Sequence, residues 1–110
     1  MGKIKKVKDE EFEKLVMSSE KPAVVDFWAT WCEPCKRLDE VLEEMAAEYG
    51  EHVDFFRVDV NESQQTTSRF AVRSIPTLLF FQGGEIVDQA IGSISREVLD
   101  EKLRGLLRSA

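Results

Sequence analysis

The 110-residue chain is poor in the residues that build cross-linked or metal-held folds: it has two cysteines, one histidine, one tyrosine and three prolines. Two cysteines cannot make the disulfide framework of a small secreted scaffold. With a single histidine they also fall short of the four ligands of structural zinc, unless two chains share the metal. Positive charge is in deficit as well. Lys and Arg total 15 against 21 Asp and Glu, a net charge of −6, which argues against binding a phosphate backbone. Lys3, Lys5, Lys6 and Lys8 are too small a patch to reverse that. No apolar run approaches membrane-spanning length, and the opening MGKIKKVKDEEF has no apolar stretch to act as an export signal. Gly2 has Lys6 where a myristoylation signal needs Ser or Thr. The expectation is a cytoplasmic protein without membrane or nucleic-acid partners. In a reducing cytosol the two cysteines are then catalytic, redox-sensing or metal-binding rather than structural.

The composition, 43% hydrophobic and 33% charged, suits a soluble globular chain, and its length suits one domain over residues 1–110. Apolar periodicity alternates between the strand and helix types, as in an α/β fold. A strand over Ile4–Val7 precedes a helix over Asp9–Ser18, with Asp9 as N-cap and Phe12, Leu15 and Val16 as its buried face. PAVVDFWA is apolar almost throughout, as expected for a strand covered on both sides. A second helix runs from the cysteines to Tyr49 and is capped by Gly50. HVDFFRVDV reads as a strand and Asn61–Arg73 as a weak helix. TLLFF and EIVDQAI flank QGG, a hairpin signal. The last helix begins near Ser95 and carries Val98, Leu99, Leu103, Leu106 and Leu107 on one face. The order β-α-β-α-β-α-β-β-α predicts a central mixed five-stranded sheet flanked by four helices.

Both cysteines lie in WCEPCK, residues 31–36. The apolar positions of the helix that follows are Leu38, Val41, Leu42, Met45, Ala46 and Tyr49. At ~100° per residue their stripe, projected backwards, places Cys35 about 45° from its centre and Cys32 about 105° away. Cys35 is therefore expected to be shielded and Cys32 accessible. Cys32 also falls in or before the first helical turn, where free N–H groups and the helix dipole stabilise a thiolate. Pro34 suits that same turn, since its missing N–H costs no helical bond. Residues three apart on a helix are close enough for a disulfide. An accessible thiolate beside a shielded thiol reads as an attacking and resolving pair. The alternatives are a staple adding roughly 2 kcal/mol and a metal site helped by His52. A c-type haem attachment is excluded by Lys36, because that motif needs His there.

VVDFWATWCEPCK, followed by SIPTLLFFQGGE and IG, resembles the thioredoxin family over essentially the whole chain. The resemblance implies the thioredoxin fold. It also implies a protein dithiol–disulfide oxidoreductase that needs no cofactor, acts as a monomer, is recycled by thioredoxin reductase or an equivalent electron donor, and acts on disulfide-containing proteins. It makes Cys32 the nucleophile and Cys35 the resolving thiol of a reversible Cys32–Cys35 disulfide. Asp26 matches a buried carboxylate that assists proton transfer, and its apolar neighbours Val24, Val25, Phe27 and Trp28 independently predict desolvation and a raised pKa. Pro76 matches a cis-proline facing the disulfide. Trp31, Ile75, Pro76, Gly92 and Ser93 match the substrate groove. Trp28 reads as packing and His52 as a loop residue. A binding module with incidental thiols is the competing class.

Three positions depart from the family pattern. Glu33 replaces a usual glycine between Cys32 and Pro34, Arg57 a frequent lysine, and Glu40 a frequent proline. A carboxylate about 6 Å from a thiolate costs roughly 0.7 kcal/mol in water, so Glu33 is expected to make the couple slightly more reducing. Its spacing to Arg37 allows a helix ion pair. Arg57 is expected to bias Asp26 towards ionisation, and Glu40 to leave the helix straighter than proline would. Asp39, Glu40, Glu43, Glu44 and Glu48 are expected to form a solvated face.

Overall fold

The computed structural model describes residues 4–109; Gly2 and Lys3, considered above, lie outside them. The strands are β1 (Ile4–Lys6), β2 (Ala23–Trp28), β3 (Asp54–Asp59), β4 (Thr77–Gln82) and β5 (Glu85–Ile91). The helices are α1 (Asp9–Phe12, continued by a π turn over Glu13–Met17), α2 (Glu33–Tyr49), α3 (Gln64–Arg69) and α4 (Arg96–Arg108). The five strands form one sheet in the order β1-β3-β2-β4-β5. β3 runs parallel to β1 and β2, while β4 is antiparallel to β2 and β5 to β4. The expected mixed sheet with four helices is what forms.

β2 lies in the middle of this sheet, which explains why its sequence is apolar nearly throughout. Strand alternation sends Val24 to a core shared with Leu38, Leu42 and Met45 of α2 and Leu99, Leu103 and Leu106 of α4. Ala23, Val25 and Phe27 point to the other side, against Phe12 and Val16. Asp26 has the parity of Val24 and so faces α2. The β4–β5 turn uses Gly83 and Gly84 at φ of 61° and 78°, the pair of positive values that a tight two-residue hairpin requires.

Several local expectations are corrected. Asp9 does not cap its own helix: Lys8 is the N-cap, and its N–H donates to Glu11 Oε1 at 3.0 Å. The Asp9 carboxylate instead reaches α3, accepting from the Thr66 N–H (2.8 Å), the Thr66 hydroxyl (2.7 Å) and the Gln65 N–H (3.2 Å). The expected helix over Asp9–Ser18 changes pitch at Glu13 into its π turn. The weak helix expected over Asn61–Arg73 contracts to α3, because Asn61 and Glu62 turn back to donate their N–H groups to Asp59. Gly50 ends α2 as expected but at φ −61°. The stop comes instead from the N–H groups of His52 and Val53, which both donate to the Tyr49 carbonyl at 2.9 Å.

Candidate active site

β2 ends at Trp28, and the chain turns through Ala29 before α2 begins, so the WCEPCK segment sits at the carboxyl end of the central strand. Crevices at that end are the usual sites of α/β sheets. Cys32 is the N-cap of α2, in extended conformation at φ −95° and ψ 109°. Its sulfur accepts the Cys35 N–H at 3.2 Å. Pro34 occupies the first turn, where no helical donor is lost. The two cysteines form a disulfide with their Cα atoms 5.3 Å apart. A sulfur held here meets an unpaired helix N–H and the positive end of a 17-residue helix, an environment that favours negative charge on sulfur once the disulfide opens.

Cys32 is not the accessible partner expected. It is 5% exposed and Cys35 2%, and both pack in a small cluster with Ala29, Trp28, Val60 and Ile75. The helical projection misplaces Cys32 because a cap residue lies outside the helix and its side chain does not follow the 100° period. Trp31, the residue before Cys32, lies at the surface. It is 66% exposed, anchored only at its edge, where the indole N–H donates to Asn61 Oδ1 at 3.0 Å.

The other side of the site is the segment before β4. Ile75 packs against the cysteine cluster, the Ile75–Pro76 peptide bond is cis, and the Pro76 carbonyl accepts the Gly92 N–H at 2.8 Å. That bond brings the β5 exit beside the proline, with Gly92 at φ 88°. Ser93 follows, exposed and outside the apolar cluster.

Beneath Cys35 lies a cavity of about 120 Å³ lined by Asp26, Trp28, Cys35, Lys36, Asp39 and Arg57. Asp26 is 2% exposed, and its Oδ1 is buried without a hydrogen-bond partner among the described residues. Burial pushes its carboxyl up to about 7, against a downward pull from Arg57 and with a further upward push from Asp39. Arg57 thus acts in the expected direction but loses to desolvation. Its guanidinium explains part of the deficit: it pairs with Asp39 and, at 3.6 Å, with Glu43, and lies 5.6 Å from the Trp28 ring centroid.

The acidic face of α2 is therefore not merely solvated. Asp39 and Glu43 hold Arg57, while Glu44 and Glu48 face Arg96 at 3.0 and 3.7 Å. Glu33 pairs with Lys36 at 3.2 Å rather than with Arg37, so the cation it meets also lines the cavity. α2 runs through Glu40 without interruption. Sequence reasoning missed two contributors to the site. Asp39 could have been found from its spacing, since Cys35, Asp39 and Glu43 recur every four residues on one side of the helix. For Asn61 no local signal exists, because its partner Trp31 is 30 residues away.

Among the described residues no helix is long and apolar enough to cross a membrane, and no cluster of side chains could hold a metal ion. The thioredoxin family model matches residues 3–105. The chain is 46% identical over 100 residues to a thioredoxin of Staphylococcus haemolyticus, covering 91% of this chain and 94% of the relative. It is 38% identical over 102 residues to thioredoxin 2 of Chlorobaculum tepidum, covering 93% and 94%. It is also 38% identical over 103 residues to the chloroplastic M-type thioredoxin of Pisum sativum, with 94% of this chain but only 60% of that longer relative covered. With a disulfide formed at its one Cys-x-x-Cys pair and this match along nearly all its length, the chain belongs to the thioredoxin family of thiol–disulfide oxidoreductases.

Proposed function

We propose that the protein reduces disulfides in other proteins, cycling between the Cys32–Cys35 disulfide and the dithiol. In the reduced protein the Cys32 thiolate attacks one sulfur of a substrate disulfide. The Cys32–substrate bond forms, the substrate S–S bond breaks, and the departing substrate thiolate takes a proton. Cys35 then gives its proton to Asp26 and attacks the Cys32 sulfur. This re-forms the internal disulfide and expels the second substrate sulfur as a thiolate, which takes the proton back from Asp26. Two electrons and two protons from a separate reductase, thioredoxin reductase or an equivalent donor, restore the dithiol. The protein acts as a monomer in this reading, in the cytoplasm, where reducing equivalents are at hand.

The observation that carries the reading is the disulfide at the N-terminus of α2, with a backbone N–H directed at the Cys32 sulfur. Trp31, Ile75, Pro76, Gly92 and Ser93 are the surface on which the substrate peptide docks in this proposal. The exposure of Trp31 and the convergence of Ile75 and Gly92 on Pro76 support that assignment. Glu33, Pro34 and Arg57 tune the couple. The test is reduction of insulin disulfides driven by dithiothreitol. Wild type is expected to accelerate it and Cys32→Ser to abolish the acceleration. A wild-type rate equal to that of buffer would instead support a scaffold with incidental thiols.

A further inference from the structure

The cavity under Cys35 has two cations in its wall, and neither bonds to Asp26. The Lys36 ammonium is taken by Glu33 at 3.2 Å. Arg57 stands directly across from Asp26 in the β2–β3 register, yet its side-chain hydrogen bond goes to Asp39 on α2, with Glu43 at 3.6 Å. The guanidinium is held from two sides, by these carboxylates and by the face of Trp28 at 5.6 Å. On the strand behind Asp26, the register partner in β4 is the apolar Leu78. Lys36, Arg57, Asp39 and, through Arg57, Glu43 are thus the charged groups facing the Asp26 carboxyl. Among the described residues Asp26 Oδ1 and Trp28 Nε1 are both buried without partners, in a space far larger than the ~15 Å³ a water molecule needs.

An arginine opposite a buried carboxylate ordinarily pairs with it and fixes it as the anion. An ion pair of that kind would remove the proton acceptor from the resolving step. Here α2 supplies competing carboxylates in the turns after Cys35, and they win the guanidinium. We propose that Asp39 is a positioning residue of the disulfide exchange: by drawing Arg57 to the mouth of the cavity and off Asp26, it leaves the Asp26 carboxyl free to take and return the Cys35 proton. The inference rests on the proton transfer from Cys35 to Asp26 proposed above.

Replacing Asp39 by the isosteric Asn removes its charge and loosens its hold on Arg57, and both changes stabilise the Asp26 carboxylate. Carbon-13 NMR of labelled aspartates in the oxidised protein is expected to show the Asp26 midpoint of Asp39→Asn shifted to lower pH by about 0.5 to 1.5 units, the span of one charge several ångströms away across a partly wet interior. The acid limb of the pH profile for mixed-disulfide resolution is expected to move by a similar amount. In Asp39→Asn/Arg57→Gln, which lacks the guanidinium, the midpoint returns towards or above the wild-type value. An unmoved Asp26 midpoint in Asp39→Asn, or a moved midpoint with an unmoved profile, overturns the inference. The underlying reading is tested separately with Asp26→Asn: a resolution profile identical to wild type would show that Asp26 is not the acceptor, whatever Asp39 does to its titration.

Discussion

Asp26 is the residue at which burial and ionisation conflict most directly. Its carboxyl, raised to about 7 by burial, binds a proton more tightly in the folded chain than in the unfolded one. Between about pH 4 and 7 the folded state therefore carries more protons, stability falls as pH rises through that window, and the cost is complete above it. A difference of about three pH units corresponds to about 4 kcal/mol. Asp26→Asn is accordingly expected to stabilise the oxidised protein by up to roughly 4 kcal/mol at pH 8 and by little at pH 4, read by urea denaturation at both. An equal gain at the two values would remove burial of the charge as the cause. Glu33 is a weaker case. Its side chain is 72% exposed and shares its charge with Lys36, so it reaches the Cys32 sulfur with less than the bare ~0.7 kcal/mol. Glu33→Gly is expected to make the couple more oxidising by no more than about 15 mV in equilibration with glutathione; a shift to more reducing potential would reverse the assigned sign. At this scale the pairing of Cys32 with Cys35 and the burial of Asp26 were legible because each announces itself within a few residues of sequence. Asp39 was misread as surface charge, since an acidic helix face does not disclose which of its members faces a cation on another element.

Among the elements, α1 and α3 show how far local rules reach. Asp9 before an apolar stripe reads as the cap of its own helix, yet its carboxylate satisfies the start of α3, whose N-cap Ser63 makes no side-chain capping bond. Burial alone would raise the Asp9 carboxyl, but the hydrogen bonds from Thr66 and Gln65 outweigh it and hold the group below its usual value. A depressed carboxylate contributes stability above its unfolded titration and loses it as pH falls through the folded one. Asp9→Ala is expected to cost about 1 to 2 kcal/mol at pH 7, the usual value of a cap, and distinctly less at pH 2. Denaturant unfolding at the two pH values checks this, and a cost that does not fall with pH would mean that Asp9 acts through packing. The strands were legible where burial makes them continuously apolar, as in β2 and β4. α3 was legible only as a weak helix with bounds too wide, because six residues of Gln, Thr, Ser and Arg carry no apolar period and the helix start is capped from 57 positions earlier.

For the whole molecule, the order of elements along the chain and a mixed sheet covered on both sides were readable from alternating periodicity, whereas the strand order within the sheet was not. The burial of Cys32 was not, because it depends on Ile75 and Val60, from two other parts of the chain, closing over the cap of α2. This closure links redox state to folding. Folded, the two sulfurs are already within bonding distance, whereas in the unfolded chain the disulfide must close a loop. That constraint on the unfolded state favours the oxidised fold by roughly 2 kcal/mol for so short a loop. The helix N-terminus works in the opposite sense by stabilising the thiolate of the reduced fold, worth up to about 1 kcal/mol. The loop effect is the larger, so oxidised protein is expected to be more stable than reduced protein by about 1 to 2 kcal/mol at pH 7. By the thermodynamic cycle the folded couple is then more reducing than the same cysteines in the unfolded chain by about 20 to 40 mV. Urea unfolding of the protein with and without dithiothreitol measures the first quantity, and glutathione equilibration in water and in strong denaturant measures the second. The two must agree, and a reduced form as stable as the oxidised one would mean that the helix terminus, rather than the closed loop, governs the potential of the pair.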